Sequence, residues 1–162
     1  MDDLNVKKRL IEYGRGKPLL FDDMDLGMKF PPVEFEITKE LVEAYCRAIG
    51  DSNPIYEDET AAKNEGFKGT IAPPTIVCIY AIPSALLSGF KPKVIPPAGN
   101  IHYRQEYEFL SAAYIGDRIR IKSVVTKKEI RGGRRYITIE SEYLNQDEDK
   151  IAIGRITPVW SR

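Results

Sequence analysis

The sequence is poor in the residues that most metal and redox sites use. Its 162 residues include one histidine and two cysteines. Cys46 and Cys78 stand far apart, with no Cys-x-x-Cys pair and no histidine near either of them. Zinc sites and disulfide frameworks need closely spaced ligands of these types, so we expect neither a metal nor a cofactor. Both cysteines are typical of small buried side chains in a cytoplasmic protein whose thiols stay reduced.

Net charge and long hydrophobic runs are also missing. Lysine and arginine together number 24, as do aspartate and glutamate, so the formal net charge is +0. Such a chain lacks the bulk electrostatic attraction that holds proteins on nucleic acids or anionic membranes, and we expect neither partner. The most apolar stretch, residues 76–87, is too short and too interrupted by proline to span a bilayer. The charged N-terminus has no apolar run like that of a signal peptide.

The first half of the chain has the spacing of helices. Apolar residues recur with a helical period over 39–49, directly after an N-cap at Thr38. A short helix over 59–65 follows, and stretch 76–87 predicts a long helix that is buried on most sides. By its length the chain is one domain, 1–162, in which residues 1–20 form an N-terminal extension.

From residue 101 the apolar period changes to two, which is typical of half-buried strands. A first strand is predicted to place on one face Ile101, Tyr103, Gln105, Tyr107 and Phe109. Further strands are predicted around 119–125, 137–143 and 151–160, the first two joined by a tight turn at the glycine pair in 131–134. Together these elements predict an α+β fold in which an antiparallel sheet wraps around the apolar helix. A free sheet edge would favour pairing with a second copy or a homologue.

One stretch carries a recognisable motif. The sequence Tyr45-Cys-Arg-Ala-Ile-Gly-Asp-Ser-Asn-Pro-Ile-Tyr-Glu-Asp resembles the signature of MaoC-like dehydratases and R-specific enoyl-CoA hydratases. That signature is Gly-Asp-x-Asn-Pro-(Leu/Ile)-His-x-Asp, followed by an Ala-rich helix and a His-Gly dipeptide. The resemblance extends over residues 20–160 and includes a Gly-Asp turn at 116–117. It implies the hot-dog fold, an antiparallel sheet wrapped around a long buried helix.

The resemblance also implies a reaction, the reversible syn hydration of a trans-2-enoyl thioester. In the family an aspartate and a histidine activate water as general base and acid, and an amide of the His-Gly dipeptide stabilises the enolate oxygen. The aspartate corresponds to Asp51 and the loop-shaping asparagine to Asn53. Tyr56 stands in the place of the histidine, and Pro73-Pro74 in the place of His-Gly. Asp51 and Tyr56 are therefore the candidate catalytic residues.

Two of these positions depart from the family pattern. A tyrosine, with a reference pKa near ~10, is a poor base at neutral pH, and Pro74 has no amide hydrogen for an oxyanion. The Ala-Pro-Pro-Thr sequence resembles the N-terminal half of fatty-acid-synthase-type and two-subunit dehydratases. In those proteins one hot-dog supplies the acyl-binding surface and its partner supplies the histidine and aspartate. The expected substrate-binding residues are Asn53, Ile71, Ala72, Pro73, Pro74 and Thr75.

The sequence leaves three functions open. The leading hypothesis is a subunit of a 3-hydroxyacyl-thioester dehydratase or trans-2-enoyl-CoA hydratase. It would bind an acyl-CoA or acyl-carrier-protein thioester and pair with a His-bearing MaoC-like subunit. The second is a self-sufficient homodimeric hydratase in which Asp51 works with His102. The third is a non-enzymatic acyl-thioester-binding module. Arg131, Arg134 and Arg135 are candidates for contact with coenzyme A phosphates, although a charged hairpin tip is more often solvated.

Overall fold

The computed structural model describes residues 16–80, 90 and 93–161. Most of the predicted N-terminal extension lies outside these residues. The strands are β1 (Lys17–Pro18), β2 (Val33–Glu36), β3 (Val94–Ile95), β4 (Ile101–Phe109), β5 (Arg118–Arg131), β6 (Arg134–Leu144) and β7 (Lys150–Trp160). The α-helices are α1 (Lys39–Ile49) and α2 (Glu59–Asn64), and the 3₁₀ helices are Phe21–Asp23, Pro54–Tyr56 and Pro74–Tyr80.

The main sheet has five antiparallel strands in the order β2-β5-β6-β7-β4. The strands β5, β6 and β7 follow one another as a meander, and β4 returns to pair with β7. Among the described residues, β4 has no strand paired along its other side. The predicted antiparallel sheet is present, and within the described part of the chain it has a free edge at β4.

Local sequence determines the ends of α1 and of the main hairpin. The Thr38 side chain accepts a hydrogen bond from the amide of Leu41, and Gly50 ends the helix with a φ of 72°. At the hairpin, Gly132 and Gly133 have φ values of 57° and 74°, which only glycine adopts readily. The predicted helix 39–49 and the predicted glycine turn are confirmed.

The core lies between one face of the sheet and the helical segments. It includes Ile121, Ile139 and Ile156 from neighbouring strands, together with Val42 of α1. The N-terminal arm closes one end of this core, since the indole of Trp160 donates to the carbonyl of Leu19 over 2.8 Å. The sheet and helices therefore pack as the α+β pattern predicted.

Two local predictions need correction. Neither Ile101 nor Tyr103 shares a face with Tyr107, because the register shifts between His102 and Arg104. Such a bulge interrupts the alternation of side chains. The ring of Tyr103 instead packs edge-on against Tyr136, with ring centroids 5.2 Å apart.

The described part of the predicted long helix is not an α-helix. The described part, Pro74–Tyr80, is a 3₁₀ helix, in which the amide of Ile76 donates to the carbonyl of Pro73 over 2.9 Å. Adjacent prolines supply no amide donors of their own, which favours a tight turn at this start. The rest of the predicted helix, through residue 87, lies outside the described residues.

Candidate active site

The loop after α1 is held by its own polar side chains. The Asp51 carboxylate accepts a hydrogen bond from the amide of Asn53 over 3.0 Å. The Asn53 side chain accepts from the amide of Ile55 over 3.2 Å and so caps the 3₁₀ helix Pro54–Tyr56. Asp51 and Asn53 thus form two successive turns of the kind that aspartate and asparagine favour. Both predicted site residues use a side-chain oxygen to shape this loop.

Tyr56 lies half-buried against the core, beside the same loop. Burial raises the pKa of its phenol, and the negative charge of Asp51 raises it further. A phenol with a raised pKa stays protonated at neutral pH. A protonated phenol is a poor general base but can donate a hydrogen bond through its hydroxyl.

The segment 71–75 runs from this loop toward β4. The amide of Ile71 donates to the carbonyl of Ile55 over 3.4 Å, and the amide of Ala72 donates to the carbonyl of Ala113 over 2.8 Å. One residue past the prolines, the Thr75 hydroxyl accepts from the hydroxyl of Tyr45 over 2.9 Å. Backbone and side-chain contacts thus connect the segment to the loop and to α1.

An apolar cleft of about 250 Å³ lies along this segment. Its lining residues are Phe67, Ile71, Ala72, Pro73, Pro74, Ile76, Val77, Phe109, Leu110, Ser111, Ala112, Ala113 and Ile151. Four of the six predicted substrate-binding residues are among them, namely those at 71–74. Asn53 and Thr75 are not; they shape the loop and join α1, respectively.

Sequence reasoning missed the opposite wall of the cleft, which is formed by residues 109–113 and Ile151. The only local signal was the run of apolar and small residues that follows β4. Its position opposite segment 71–75 depends on long-range pairing, including the bridge between Ile71 and Tyr114. The periodicity of apolar residues indicates helices and strands but not contacts between distant segments.

The remaining candidate residues lie elsewhere on the described surface. His102 is exposed on β4, opposite Pro158 of β7. No hydrogen bond joins His102 to Asp51 among the described residues. At the hairpin tip, the Arg131 guanidinium stacks 4.6 Å from the ring centroid of Tyr136 and donates to the hydroxyl of Tyr103 over 3.4 Å.

Comparison with known families shows to which protein family the chain belongs. Residues 24–153 match a family described as FAS1-like, dehydratase domain region. The chain belongs to this dehydratase family. The resemblance to MaoC-like hydratases and dehydratases that the motif indicated is thereby confirmed.

Relatives of this dehydratase-family chain include proteins matched over nearly their whole length and one larger enzyme subunit. A UPF0336 protein of Streptomyces avermitilis is 26% identical over 146 residues, which are 89% of this chain and 97% of the relative. The 3-oxo-4,17-pregnadiene-20-carboxyl-CoA hydratase alpha subunit of Mycobacterium tuberculosis is 34% identical over 80 residues. That match covers 49% of this chain and 24% of the subunit.

Solved structures establish the fold of this family member. The unliganded R-hydratase PhaJ1 of Pseudomonas aeruginosa superposes with a TM-score of 0.72 at 19% identity, over 90% of this chain and 87% of that one. The 3R-hydroxyacyl-ACP dehydratase complex HadBC of Mycobacterium tuberculosis superposes with a TM-score of 0.71 at 22% identity, over 82% and 95%. The chain has the hot-dog fold, as the motif implied.

Two features are absent from the described residues, a membrane-spanning helix and a cluster of metal ligands. None of their helices is long and apolar enough to cross a membrane. In the same part of the chain, no group of three or more histidine, cysteine, aspartate or glutamate side chains is placed to hold a metal ion.

Proposed function

We propose that the chain is the acyl-binding subunit of a 3-hydroxyacyl-thioester dehydratase or trans-2-enoyl-CoA hydratase. A partner hot-dog subunit supplies the catalytic histidine and aspartate. The observation that carries the proposal is an apolar cleft beside a loop that lacks the histidine and the oxyanion-binding amide of the family motif. Pro74 has no amide hydrogen for the enolate oxygen, and the raised pKa of Tyr56 keeps its phenol protonated.

The cleft fits the apolar part of an acyl thioester. Apolar lining with few polar groups is what small-molecule sites use to bind a hydrocarbon portion. Its volume of about 250 Å³ far exceeds the ~10–15 Å³ that a single water-sized group needs, so the cleft has room for several groups of an apolar chain.

The free edge of β4 is the surface proposed for the partner. Three of its side chains are large, apolar and unusually exposed: Ile101 at 55%, Tyr103 at 54% and Phe109 at 44%. An unpaired strand with exposed apolar side chains favours addition of another strand. Phe109 also lines the cleft, so a subunit docked on β4 would lie beside the bound acyl chain. The similarity to HadBC, whose structure is a complex, and to a hydratase alpha subunit supports a two-subunit arrangement.

Enzyme assays test the proposal directly. The purified chain would be mixed with crotonyl-CoA, alone and with a MaoC-like subunit that retains Gly-Asp-x-Asn-Pro-x-His, and loss of the enoyl thioester absorbance would be followed. We expect no turnover by the chain alone and turnover with the partner. Turnover by the chain alone that Asp51→Asn abolishes would show a self-sufficient hydratase instead. Binding of butyryl-CoA without turnover beside every such partner would show a non-enzymatic binding module.

A further inference from the structure

Positive charge is concentrated at the tip of the hairpin that joins β5 and β6. Residues 127–135 contain five lysine and arginine side chains and one glutamate, and five minus one gives a local charge of +4. The formal net charge of the whole chain is +0, so the remaining residues together carry −4. We call residues 127–135 the basic tip. Net charge alone argues against an anionic surface as a partner, but it does not describe how the charge is distributed.

The basic tip projects beyond the neighbouring strand of the sheet. Strand β6 pairs with β7 as far as Arg135, which lies opposite Trp160 at the end of β7. Strands β5 and β6 continue to a final pair, Arg131 opposite Arg134, and turn at the two glycines between them. All the residues from 130 to 135 are exposed. This part of the hairpin is therefore accessible to a surface outside the molecule.

Most cations of the basic tip are not neutralised by a carboxylate. The one carboxylate of the tip, on Glu129, pairs with Lys127 at 2.9 Å. Arg131 instead stacks on Tyr136, with the central carbon of the guanidinium 4.6 Å from the ring centroid. Such stacking positions a cation without cancelling its charge. In the described part of the chain no carboxylate pairs with the other four cations, which are Lys128, Arg131, Arg134 and Arg135.

An exposed isoleucine lies among these cations. The side chain of Ile130 is 66% exposed, the highest value of any large apolar residue in the described chain. Arg135 lies directly opposite it on β6. Lys128 precedes it by two residues on β5 and therefore shares its face of the hairpin. Segments that lie in a membrane interface combine these features, because their apolar side chains enter the acyl boundary while their cations contact the headgroups.

We infer that the basic tip docks the protein on an anionic lipid surface, with Ile130 among the headgroups and the four unpaired cations against lipid phosphates. The inference does not depend on the proposed function. Each lysine or arginine near an anionic bilayer strengthens binding, and burial of the isoleucine adds to this attraction.

Other anionic partners match the basic tip less well. A stable interface with a folded protein buries roughly 800 Å² on each partner, and a short projecting turn presents a smaller surface than that. A nucleic acid would gain from the cations through its phosphates, but it would gain nothing from the exposed side chain of Ile130. A lipid surface uses both features.

Co-sedimentation with vesicles tests the inference on the full-length chain. Vesicles of phosphatidylcholine alone would be compared with vesicles of equal parts phosphatidylcholine and phosphatidylglycerol. We expect binding only to the anionic vesicles, and we expect added salt to weaken it by screening the charges. Arg134→Gln removes one unpaired cation and should weaken binding about fivefold, the effect of about one charge. Ile130→Ser should also weaken it about fivefold, because the apolar contact is lost.

Each variant has a matched control elsewhere in the chain. Arg118→Gln removes an exposed arginine at the opposite end of β5, and Ile49→Ser removes a half-exposed isoleucine at the end of α1. Neither control should change vesicle binding, and thermal unfolding checks that all four variants are folded. Absence of binding to anionic vesicles, or equal losses in a variant and its control, would overturn the inference while the proposed function stands.

Two soluble anions complete the test. Calorimetry would measure binding of the full-length chain to coenzyme A and to a double-stranded DNA oligonucleotide. Binding to either that is tighter than binding to the vesicles, and that is lost in Arg134→Gln but not in Ile130→Ser, would overturn the lipid surface as the partner. Weaker binding to both soluble anions than to the anionic vesicles supports it.

Discussion

The hydroxyl of Tyr45 donates a hydrogen bond to the hydroxyl of Thr75 over 2.9 Å, across 30 residues of sequence. Tyr45 lies on α1, and Thr75 lies in the 3₁₀ helix Pro74–Tyr80, of which Pro74, Ile76 and Val77 line the apolar cleft. Helix α1 and the wall of the cleft are therefore joined by a side-chain contact. The loop that follows α1 is joined to the same segment separately, by the backbone hydrogen bond between Ile71 and Ile55.

Removing this contact should weaken the fold modestly. We expect Tyr45→Phe and Thr75→Val each to lower the free energy of unfolding by about 0.5–1.5 kcal/mol, the usual contribution of one hydrogen bond. Urea denaturation of both variants and of the double variant measures the coupling between them. Strictly additive losses would show that the two hydroxyls do not stabilise each other.

Two replacements of Asp51 separate loop bracing from catalysis. Asp51→Asn keeps an oxygen that can accept from the amide of Asn53, so the loop should be retained, and turnover with the partner subunit should stay within about twofold. Asp51→Ala removes the acceptor and should cost about 0.5–1.5 kcal/mol of stability. Thermal unfolding and the reconstituted hydration assay check both effects. A large loss of turnover in Asp51→Asn with intact stability would assign a catalytic role to the carboxylate.

Gly154 allows two tyrosine rings to pack over β7. A Cβ built on Gly154 would lie 2.7 Å from Cε1 of Tyr107 and 3.2 Å from Cε2 of Tyr143. Gly154→Ala should therefore destabilise the fold by about 1–3 kcal/mol, as overpacking of a core does. The matched control is Gly69→Ala, where no heavy atom of the described chain lies within 4 Å; its effect should stay within about 0.5 kcal/mol. Equal effects in chemical denaturation would contradict this packing argument.

The β4 edge can be tested by charge insertion. Ile101→Lys places a cation on the proposed partner surface and should raise the dissociation constant of the subunit complex about tenfold or more, because burial of the isoleucine is lost. Leu26→Lys is the control, since Leu26 is 64% exposed and precedes Gly27, which bonds to Val125 of β5, a strand separated from β4 by β6 and β7. Sedimentation velocity of each variant with its partner provides the readout. Similar weakening by both variants would argue against β4 as the interface.

Buried tyrosines predict a loss of stability in alkali. Burial raises the pKa of Tyr107 to about 12, and burial also raises the pKa of Tyr143. Tyrosine in an unfolded chain has a pKa near ~10. Stability should be complete below pH ~10 and decline as the pH rises toward ~12, because the unfolded chain releases protons that the folded chain retains.

Urea denaturation at several pH values measures this decline. Tyr107→Phe should make the decline shallower, whereas the exposed-site variant Tyr103→Phe should leave its slope unchanged. An identical slope in Tyr107→Phe would show that ionisation of Tyr107 does not contribute.

Much of the fold followed from local patterns because local forces determine those features. The Thr38 cap and Gly50 place the ends of α1 by satisfying nearby backbone groups. The glycine pair at 132–133 likewise determines the hairpin turn. In contrast, the bulge beside Tyr103 depends on what lies opposite it in β7. The alternation of apolar and polar residues in β4 does not indicate how β4 pairs with β7.

The candidate site shows the same division. Residue identity and short spacing indicated the hot-dog family, the loop around Asp51 and the departures from the family motif at Tyr56 and Pro74. Long-range packing of the chain set the two walls of the cleft, which are formed by residues 71–74 and 109–113. Those walls come from segments far apart in the chain, and their approach is set by the burial of apolar surface and by strand pairing. Burial and strand pairing act between residues far apart in the chain, so the local sequence around either residue does not indicate the contact.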